Sequence, residues 1–329
     1  MGKRIVIVSP AVAGDNNGNW QTASRWSAFL QAHHDVSIAS AWAPGDAVPD
    51  LLVALHARRS APSLAAFAAC HPDRPSILVL TGTDLYRDIH ASLEAAASLR
   101  LASALVVLQE DGLRALPPAL RPRTRVIHQS APPRAAPGSA PRARHGGRTV
   151  DICMIGHLRA EKDPLTFMRA ARLVGLDGVR LLHIGGVLDP ALGAAATAAM
   201  EDTPRYRWLG ALPHDAALDY LERSHAMVIA SVMEGGANVI IEAISAGVPV
   251  LASGIGGNRG MLGEDYAGYF PLGDAAALAR LVERSVADTA FHVLLRAQCA
   301  ARAPLFAPAA EAAAVRDLVD NLLASAPHD

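Results

Sequence analysis

The chain has little cysteine and no run of apolar residues long enough to cross a membrane. Its three cysteines, Cys70, Cys153 and Cys299, lie far apart and form no CxxC or CxxH pair. Such spacing argues against a disulfide framework and against a cysteine-based zinc site. The apolar run that precedes Ser9 and Pro10 is too short for the core of a signal peptide. We therefore expect a cytoplasmic protein.

A strong net charge is also missing. Lysine and arginine number 30 against 31 acidic residues, which leaves a formal net charge of −1. No global field attracts nucleic acid or an anionic membrane, so an anionic ligand must be held by local groups. The 13 histidines are scattered along the chain and indicate no metal cluster. We expect no metal and no cofactor.

What the chain does contain is a dense motif at Ser231–Gly257, reading SVMEGGANVIIEAISAGVPVLASGIGG. Glu234 is followed by the pair Gly235 and Gly236, and Glu242 comes eight positions after Glu234. Glycines ahead of a helix expose backbone N–H groups at its positive end, where an anionic ligand can lie. The run VPVLAS that ends the motif predicts a buried parallel strand.

The residues that follow the glycine pair predict a short helix over 237–246. Asn238 is a candidate cap, Gly247 lies past the end, and Pro249 prevents continuation. Apolar residues cover most of this helix, so Glu242 is expected in the interior, where a carboxylate needs hydrogen-bond donors. Ligand hydroxyls would satisfy Glu242, and so would a buried arginine.

The spacing of the two acids resembles the donor-sugar signature of retaining GT-B glycosyltransferases of family 4. The resemblance implies an α/β protein with two Rossmann-like doubly wound domains and a C-terminal helix that crosses back to the first domain. It places Glu234 beside the donor sugar and Glu242 on the ribose hydroxyls of the nucleotide. Further donor-binding residues implied by the motif are Gly235, Gly236, Ala237 and Asn238.

The segment DICMIGHLRAEKDP resembles a second family motif, Gly-Arg-Leu, three residues, Lys, whose cations neutralise the donor diphosphate. Lys162 falls in register with the family lysine, and His157 occupies the arginine position. Arg159 lies two residues further on and is expected to replace that charge. The resemblance thus implies Glu234, Lys162 and Arg159 as catalytic residues and His157 as a donor-binding one. A merely polar loop remains the alternative. Gly185 ends the next predicted strand and allows close approach to the donor.

The first predicted strand, 3–9, is followed by the loop AVAGDNNGNWQTASRW. A doubly wound sheet presents its ligand site at such strand ends. Asn17, Gly18, Asn19 and Thr22 therefore become candidate acceptor-binding residues. The alternative is a plain turn, since Asn and Gly tolerate left-handed backbone angles.

Two further predicted strands end in polar and basic groups. The segment DLLVAL runs into His56, Arg58 and Arg59, which could clamp a phosphate-like anion or form a solvated turn. The strand 76–80 runs into a TGTDLYR sequence, in which family 4 enzymes commonly have His-Gly-x-Asp. Thr81 stands at the position of that histidine, while Asp84 could position the acceptor or its loop. The acceptor candidates here are Thr81, Thr83, Asp84 and Arg87.

The stretches NNGNWQTASRW, LLVALHARRSA, LTGTDLYRDI and GHLRAEKDP together resemble the selenosugar synthases of selenoneine biosynthesis, a family 4-like group. The resemblance implies transfer of a sugar from UDP-N-acetylglucosamine or UDP-glucose to selenophosphate. It also implies a functional link to a selenophosphate synthetase and to downstream selenoneine-forming enzymes. An anionic selenium nucleophile sheds no proton, so the loss of the family histidine at Thr81 is tolerable.

Other functions remain open at this point. They are an ordinary family 4 hexosyltransferase with a hydroxyl acceptor, a noncatalytic nucleotide-sugar binding module and, more distantly, a nicotinamide oxidoreductase. At 329 residues, two domains of about 150 residues are expected. The Pro-, Gly- and Arg-rich stretch after residue 131 reads as a linker. The predicted division is 1–131, an acceptor-side domain; 132–148, the linker; 149–305, a nucleotide-sugar domain; and 306–329, a helix that packs toward the first domain.

Overall fold

The computed structural model describes residues 2–11, 18–132 and 149–325. The chain forms two compact units, each assembled from separated stretches of sequence. Unit 1 comprises Met1–Ser130, Glu234–Gly236 and Leu305–Asp329, and unit 2 comprises Ala131–Met233 and Ala237–Pro304. The sequence predicts Glu234–Gly236 within the second domain, whereas the contacts of this tripeptide group it with unit 1. The predicted linker 132–148 lies, apart from residue 132, outside the described residues, and the other predicted boundaries stay predictions.

Unit 1 contains a sheet of six parallel strands in the order β2-β1-β3-β4-β5-β6. The strands are β1 Arg4–Val8, β2 Asp35–Ala39, β3 Leu51–Leu55, β4 Ser76–Leu80, β5 Ala104–Val107 and β6 Thr124–Val126. Both β3 and β4 are buried at every position, as their unbroken apolar sequences predict.

The helices that follow these strands cover the sheet of unit 1. They are α1 Gly18–Leu30, α2 Ala61–Cys70, α3 Ile89–Ala91, α4 Leu93–Leu101 and α5 Asp111–Ala115. A π-helical turn spans Asp84–Asp88, and a 3-10 turn spans Pro118–Arg123. Phe67 of α2 packs on one face of the sheet with Leu52 and Leu78, while Trp26 of α1 packs on the other face with Ile5 and Ile77.

Unit 2 contains a second sheet of six parallel strands, in the order β12-β11-β10-β7-β8-β9. The strands are β7 Val150–Ile155, β8 Val179–Ile184, β9 Tyr206–Trp208, β10 Ala226–Ile229, β11 Val250–Ser253 and β12 Tyr269–Phe270. Its helices are α6 Pro164–Leu173, α7 Pro190–Asp202, α8 His214–Arg223, α9 Asn238–Ser245, α10 Gly256–Leu262, α11 Ala275–Ala287 and α12 Thr289–Arg302. Short 3-10 turns span Ala160–Lys162 and Ala303–Phe306.

The last helix, α13 (Pro308–Ser325), belongs to unit 1 although it follows unit 2 in sequence. It packs against α1. Its residues Val315 and Val319 are buried in the same core as Ile5 and Trp26. The predicted return of the last helix to the first domain is therefore confirmed.

In each sheet the strand order reverses at one place. In unit 1 the reversal lies between β1 and β3, and in unit 2 it lies between β7 and β10. Ligands of open α/β sheets bind at the carboxyl ends of the strands that flank such a reversal. The loops that follow β1, β3, β7 and β10 are therefore the first places to look for a site. No helix within the described ranges is long and apolar enough to span a membrane.

Candidate functional site

The loop after β3 begins at His56, which the sequence predicts as a cationic acceptor-binding residue. His56 has a φ of 75° and is 3% exposed. Its Nδ1 atom accepts from the Arg59 N–H at 3.4 Å, and its Nε2 atom lies 3.2 Å from Thr83 Oγ1. Burial lowers the pKa of His56 and outweighs the charge of Asp84, which acts in the opposite direction, while the charge of Arg59 lowers the pKa further. The ring is therefore neutral at neutral pH, which corrects the predicted cationic role.

Asp84 holds the loop after β4 in place. Its carboxylate is fully buried, and Oδ1 accepts from the N–H groups of Thr81 and Gly82, each at 2.9 Å. Its Oδ2 accepts from the Ala57 N–H at 2.8 Å, which ties the loop after β3 to the loop after β4. Of the two roles considered for Asp84, these contacts support the positioning of the loop.

Asp88 accepts hydrogen bonds from two arginines, one on the loop after β3 and one on the turn after β4. It is buried and accepts from Arg58 Nε at 2.9 Å and from Arg87 Nε at 3.0 Å. Burial by itself raises the pKa of Asp88, but the hydrogen bonds from Arg87 and Arg58 outweigh it and lower the pKa overall. The side chains of Arg58 and Arg87 stay 48% and 47% exposed. Arg59 is exposed as well.

Asp88 is a site residue that the sequence alone did not indicate. A signal for it existed, because Asp88 follows Asp84 by four positions and directly follows Arg87. That spacing does not reveal the partnership with Arg58, which comes from a different strand end.

The start of α1 carries three of the predicted acceptor-binding residues. Gly18 is exposed and Asn19 is partly buried, but Thr22 is only 1% exposed. The Thr22 hydroxyl donates to the Gly18 carbonyl at 2.8 Å and accepts from the side-chain amide of Gln129. Thr22 therefore contacts its own helix and the core of unit 1, and its predicted contact with an acceptor stays a prediction. Asn17, another predicted acceptor residue, lies outside the described residues.

The glycine pair of the central motif packs tightly within unit 1. A Cβ atom at Gly235 would lie 2.5 Å from the carbonyl carbon of Thr81 and 2.6 Å from the nitrogen of Gly82. At Gly236, a Cβ would lie 2.8 Å from Cβ of Leu108. Real Cβ atoms do not approach backbone so closely, so the packing requires glycine at 235. Glu234, directly before the pair, is 8% exposed.

In unit 2 the loops after β7 and β8 lie side by side. A Cβ at Gly185 would lie 1.9 Å from the carbonyl oxygen of Gly156, so only glycine fits there. The Leu158 N–H donates to the Gly186 carbonyl at 2.9 Å, which pairs the two loops. Gly185 therefore comes close to the backbone of Gly156, and its predicted approach to the donor stays a prediction.

The first of these loops carries the three residues that the sequence predicts around a diphosphate. His157 Nδ1 accepts from the Gly186 N–H at 3.1 Å. Burial lowers the pKa of His157, and the charges of Arg159 and Lys162 lower it further. Its ring is neutral at neutral pH, so positive charge on the loop comes from Arg159 and Lys162. The Nε atom of Arg159 is buried without a hydrogen-bond partner among the described residues.

Two side chains, on β8 and β9, contact the backbone of these loops. The sequence did not indicate either of them as a site residue. His183, on β8, is fully buried; its Nε2 lies 3.1 Å from the Gly156 carbonyl and its Nδ1 lies 2.9 Å from the Tyr206 hydroxyl. Burial lowers the pKa of His183 to about 4. Trp208 Nε1 donates to the Gly185 carbonyl at 2.9 Å. A lone His within the apolar strand LLHIG was the available sequence signal.

Glu242 lies on α9, where the structure refines two expectations. The side chain is 16% exposed, and the residues 238, 242 and 245 form one partly exposed face of the helix. Glu242 is therefore not in the interior. Its Oε1 lies 3.6 Å from His214 Nε2, a partner that the sequence did not indicate. Asn238 is the first residue of α9, and the N-cap position is Ala237, so the predicted cap position is wrong. Ala237, the preceding residue, directs its N–H at the Met261 sulfur at 3.1 Å.

Within the described residues no group of three or more His, Cys, Asp or Glu side chains is arranged to hold a metal ion.

Comparison with known proteins finds one family model that matches part of the chain. Residues 149–288, less than half of the chain, match the family model described as "Glycosyl transferases group 1". Sucrose-phosphate synthase from Thermosynechococcus elongatus has 18% sequence identity over 98% of this chain and 100% of its own, with a TM-score of 0.78. Anabaena HepE, in complex with UDP and glucose, has 16% identity over 97% and 100%, with a TM-score of 0.75.

An α,α-trehalose-phosphate synthase (UDP-forming) from Burkholderia xenovorans, in complex with glucose-6-phosphate, is also similar. It has 12% identity over 84% of this chain and 73% of its own, with a TM-score of 0.65. At these identities the solved structures establish the fold. The GT-B fold and the glycosyltransferase class predicted from the sequence are thereby confirmed.

Proposed function

We propose that this glycosyltransferase uses a UDP-sugar, UDP-N-acetylglucosamine or UDP-glucose, and selenophosphate to form a 1-selenosugar, as the selenosugar synthases of selenoneine biosynthesis do. The observation that carries the acceptor half is the set of three arginines, Arg58, Arg59 and Arg87, at the carboxyl ends of β3 and β4, in a loop pair where Thr81 stands in place of an imidazole. An anionic acceptor needs cations and no general base.

The donor half of the proposal has its support in unit 2. Arg159 and Lys162 give positive charge to the loop after β7, at the strand reversal where nucleotides bind in doubly wound sheets. Glu242 is partly exposed and lies 3.6 Å from His214, so its carboxylate is accessible to ribose hydroxyls. HepE, a structural neighbour, is described in complex with UDP-glucose. No metal and no cofactor takes part in the proposed reaction.

In the proposed reaction, the bond between the anomeric carbon and the UDP oxygen breaks, and UDP leaves with the electron pair. Lys162 and Arg159 stabilise the charge that develops on the diphosphate, the usual place for electrostatic catalysis. Selenium attacks the anomeric carbon and forms the C–Se bond. Glu234 orients the sugar hydroxyls. Water then hydrolyses the Se–P bond, which releases inorganic phosphate and the selenol.

Selenophosphate is proposed to lie against the arginines of unit 1. Arg58, Arg59 and Arg87 supply the charge, while Thr81 and Thr83 supply hydroxyl groups. His56 is neutral and contributes a ring nitrogen contact to Thr83 rather than a charge. Gly18 and Asn19, at the start of α1, complete the proposed acceptor residues.

Turnover with defined substrates tests the proposal. The purified protein is incubated with UDP-N-acetylglucosamine or UDP-glucose and with selenophosphate generated in situ, and UDP release and a selenium-containing sugar are followed by mass spectrometry. We expect UDP release that depends on selenophosphate, and loss of more than 90% of the rate in Lys162→Ala and Glu242→Gln. Arg169→Ala, a change on the exposed side of α6, serves as the matched control.

A second acceptor class follows from a different finding. The trehalose-phosphate synthase neighbour is described with glucose-6-phosphate, so a phosphorylated acceptor that reacts through a hydroxyl also suits an arginine cluster. If glucose-6-phosphate or another alcohol supports UDP release and selenophosphate does not, the selenium proposal is wrong. UDP binding with no donor consumption over all acceptors would indicate a noncatalytic binding module.

A further inference from the structure

We propose that Asp88 is a positioning residue that sets the direction of two arginine side chains and thereby selects an acceptor with a tetrahedral dianionic group. The inference deepens the proposed function, because it concerns the acceptor side of the same reaction. It does not require that the acceptor contain selenium.

The carboxylate of Asp88 links the loop after β3 to the turn after β4. Oδ2 accepts from Arg58 Nε, in the loop after β3, and Oδ1 accepts from Arg87 Nε, in the π-helical turn after β4. Each oxygen therefore takes one guanidinium by its inner nitrogen. Because the guanidinium is planar, a bond at Nε fixes the plane and the direction of the outer nitrogens.

The position of Asp88 is itself fixed by its surroundings. Asp88 is 5% exposed, and the turn that carries it begins at Asp84, whose carboxylate binds three backbone N–H groups of the two loops. π-helical turns are rare and are often found at functional sites. Position 88 is thus fixed relative to both loops before any ligand arrives.

The arginines outnumber the carboxylates on these two loops. His56 Nε2 lies 3.9 Å from Asp88 Oδ2, but His56 is neutral. Three arginines, Arg58, Arg59 and Arg87, stand on the loops with the two carboxylates Asp84 and Asp88, and the oxygens of Asp84 are taken by backbone N–H groups. The side chains of Arg58 and Arg87 stay about half exposed, which suits a phosphate-like group with a charge of about −1.5 to −2 at pH 7.

A purely structural ion pair would behave in the opposite way. If Asp88 only neutralised its neighbours, loss of its negative charge would raise the local positive potential and tighten the binding of every anion. If Asp88 directs the arginines, its removal weakens a tetrahedral dianion more than a carboxylate, because only the former uses both guanidinium groups. The two roles thus predict changes of opposite sign.

The test measures binding of thiophosphate, a stable probe of the same charge and shape, and of acetate by calorimetry. The variants are Asp88→Asn, which keeps the shape, and Arg58→Lys with Arg87→Lys, which keeps the charges but lacks Nε. Asp73→Asn is the matched control, since Asp73 is an exposed acid of the same unit and removes the same charge. UDP affinity of each variant is measured as a control for folding.

We expect thiophosphate affinity to fall about tenfold or more in Asp88→Asn and in the double lysine variant, with UDP affinity and acetate affinity within twofold of the unchanged protein. Wild-type affinity for thiophosphate should rise with pH as the probe loses its second proton, and this rise should shrink in Asp88→Asn. Unchanged or tighter thiophosphate binding in Asp88→Asn overturns the inference, as does an equal loss in Asp73→Asn. Absence of turnover with selenophosphate overturns the proposed function but leaves these binding results intact.

Discussion

The buried carboxylate of Glu311 offers a sharp test of how α13 is held to unit 1. Glu311 is 2% exposed, and its Oε1 accepts from Trp26 Nε1 at 3.0 Å. Its Oε2 accepts from Arg25 Nε at 3.1 Å and from the N–H and hydroxyl of Ser130 at 2.7 and 2.5 Å. One side chain of α13 therefore binds α1 and the segment that ends the first stretch of unit 1.

The change Glu311→Gln keeps the size of the side chain but turns one acceptor into a donor. With its oxygen toward Arg25 and Ser130, the new amide directs its NH₂ group at the Trp26 N–H, which is left without an acceptor at a cost of about 1–3 kcal/mol. The Arg25 side chain, 19% exposed, also loses the negative charge of Glu311. Removal of one partner from a fully buried ion pair costs about 3–5 kcal/mol, and partial exposure reduces that figure. We expect a total loss of about 3 kcal/mol.

Urea unfolding followed by tryptophan fluorescence measures this loss, because Trp26 is one of the contact residues. With an m-value of about 1–3 kcal/mol/M, the midpoint of the unit 1 transition should fall by roughly 1–3 M. Asp317→Asn is the control on the same helix, since Asp317 is exposed. A Glu311→Gln midpoint that equals the midpoint of Asp317→Asn would refute the idea that this carboxylate fastens the helix.

Three further predictions concern the loops of the site. Gly235→Ala places a Cβ 2.5 Å from the Thr81 carbonyl carbon, so we expect the free energy of unfolding in urea to fall by about 2–3 kcal/mol. The control Gly175→Ala should cost under about 1 kcal/mol, because its Cβ would meet only Glu283 Oε1, at 3.5 Å. Because the pKa of His183 falls from 6.5 to about 4 on folding, stability is fully present above pH 6.5 and is lost as pH falls toward 4; between pH 7 and pH 5 the loss is about 2 kcal/mol, and His183→Gln should remove that part of the slope. Turnover should survive dialysis against EDTA, and a loss that Mg²⁺ or Mn²⁺ restores would contradict the metal-free reaction.

Much of the fold could be read from the sequence because its strands are fully buried. The strand predicted over 76–80, SILVL, matches β4 residue for residue, since a continuous apolar run leaves little freedom in placing a parallel strand. Helix ends were less accurate. Asn238 reads as a cap, but helix α9 starts at Asn238 itself, because Ala237 takes the extended conformation before the helix.

The polar side chains that organise the site could not be read in this way. Asp88 joins Arg58 to Arg87, and Glu311 joins Trp26 to Ser130, across separations in sequence that carry no periodic signal. His56 illustrates a different difficulty. Its position after β3 was evident, whereas its neutral state depends on burial that is visible only in the folded unit. The specific roles of the predicted donor and acceptor residues stay predictions.

The discontinuous makeup of unit 1 constrains how the polypeptide reaches its native state on the ribosome. Val315 and Val319 complete the core that contains Ile5 and Trp26, yet they are translated after the whole of residues 131–304. At 5–20 residues per second this delay is roughly ten to thirty-five seconds. Throughout that interval one face of the first sheet has no cover from α13, so the nascent chain presents an apolar surface on which a chaperone can act.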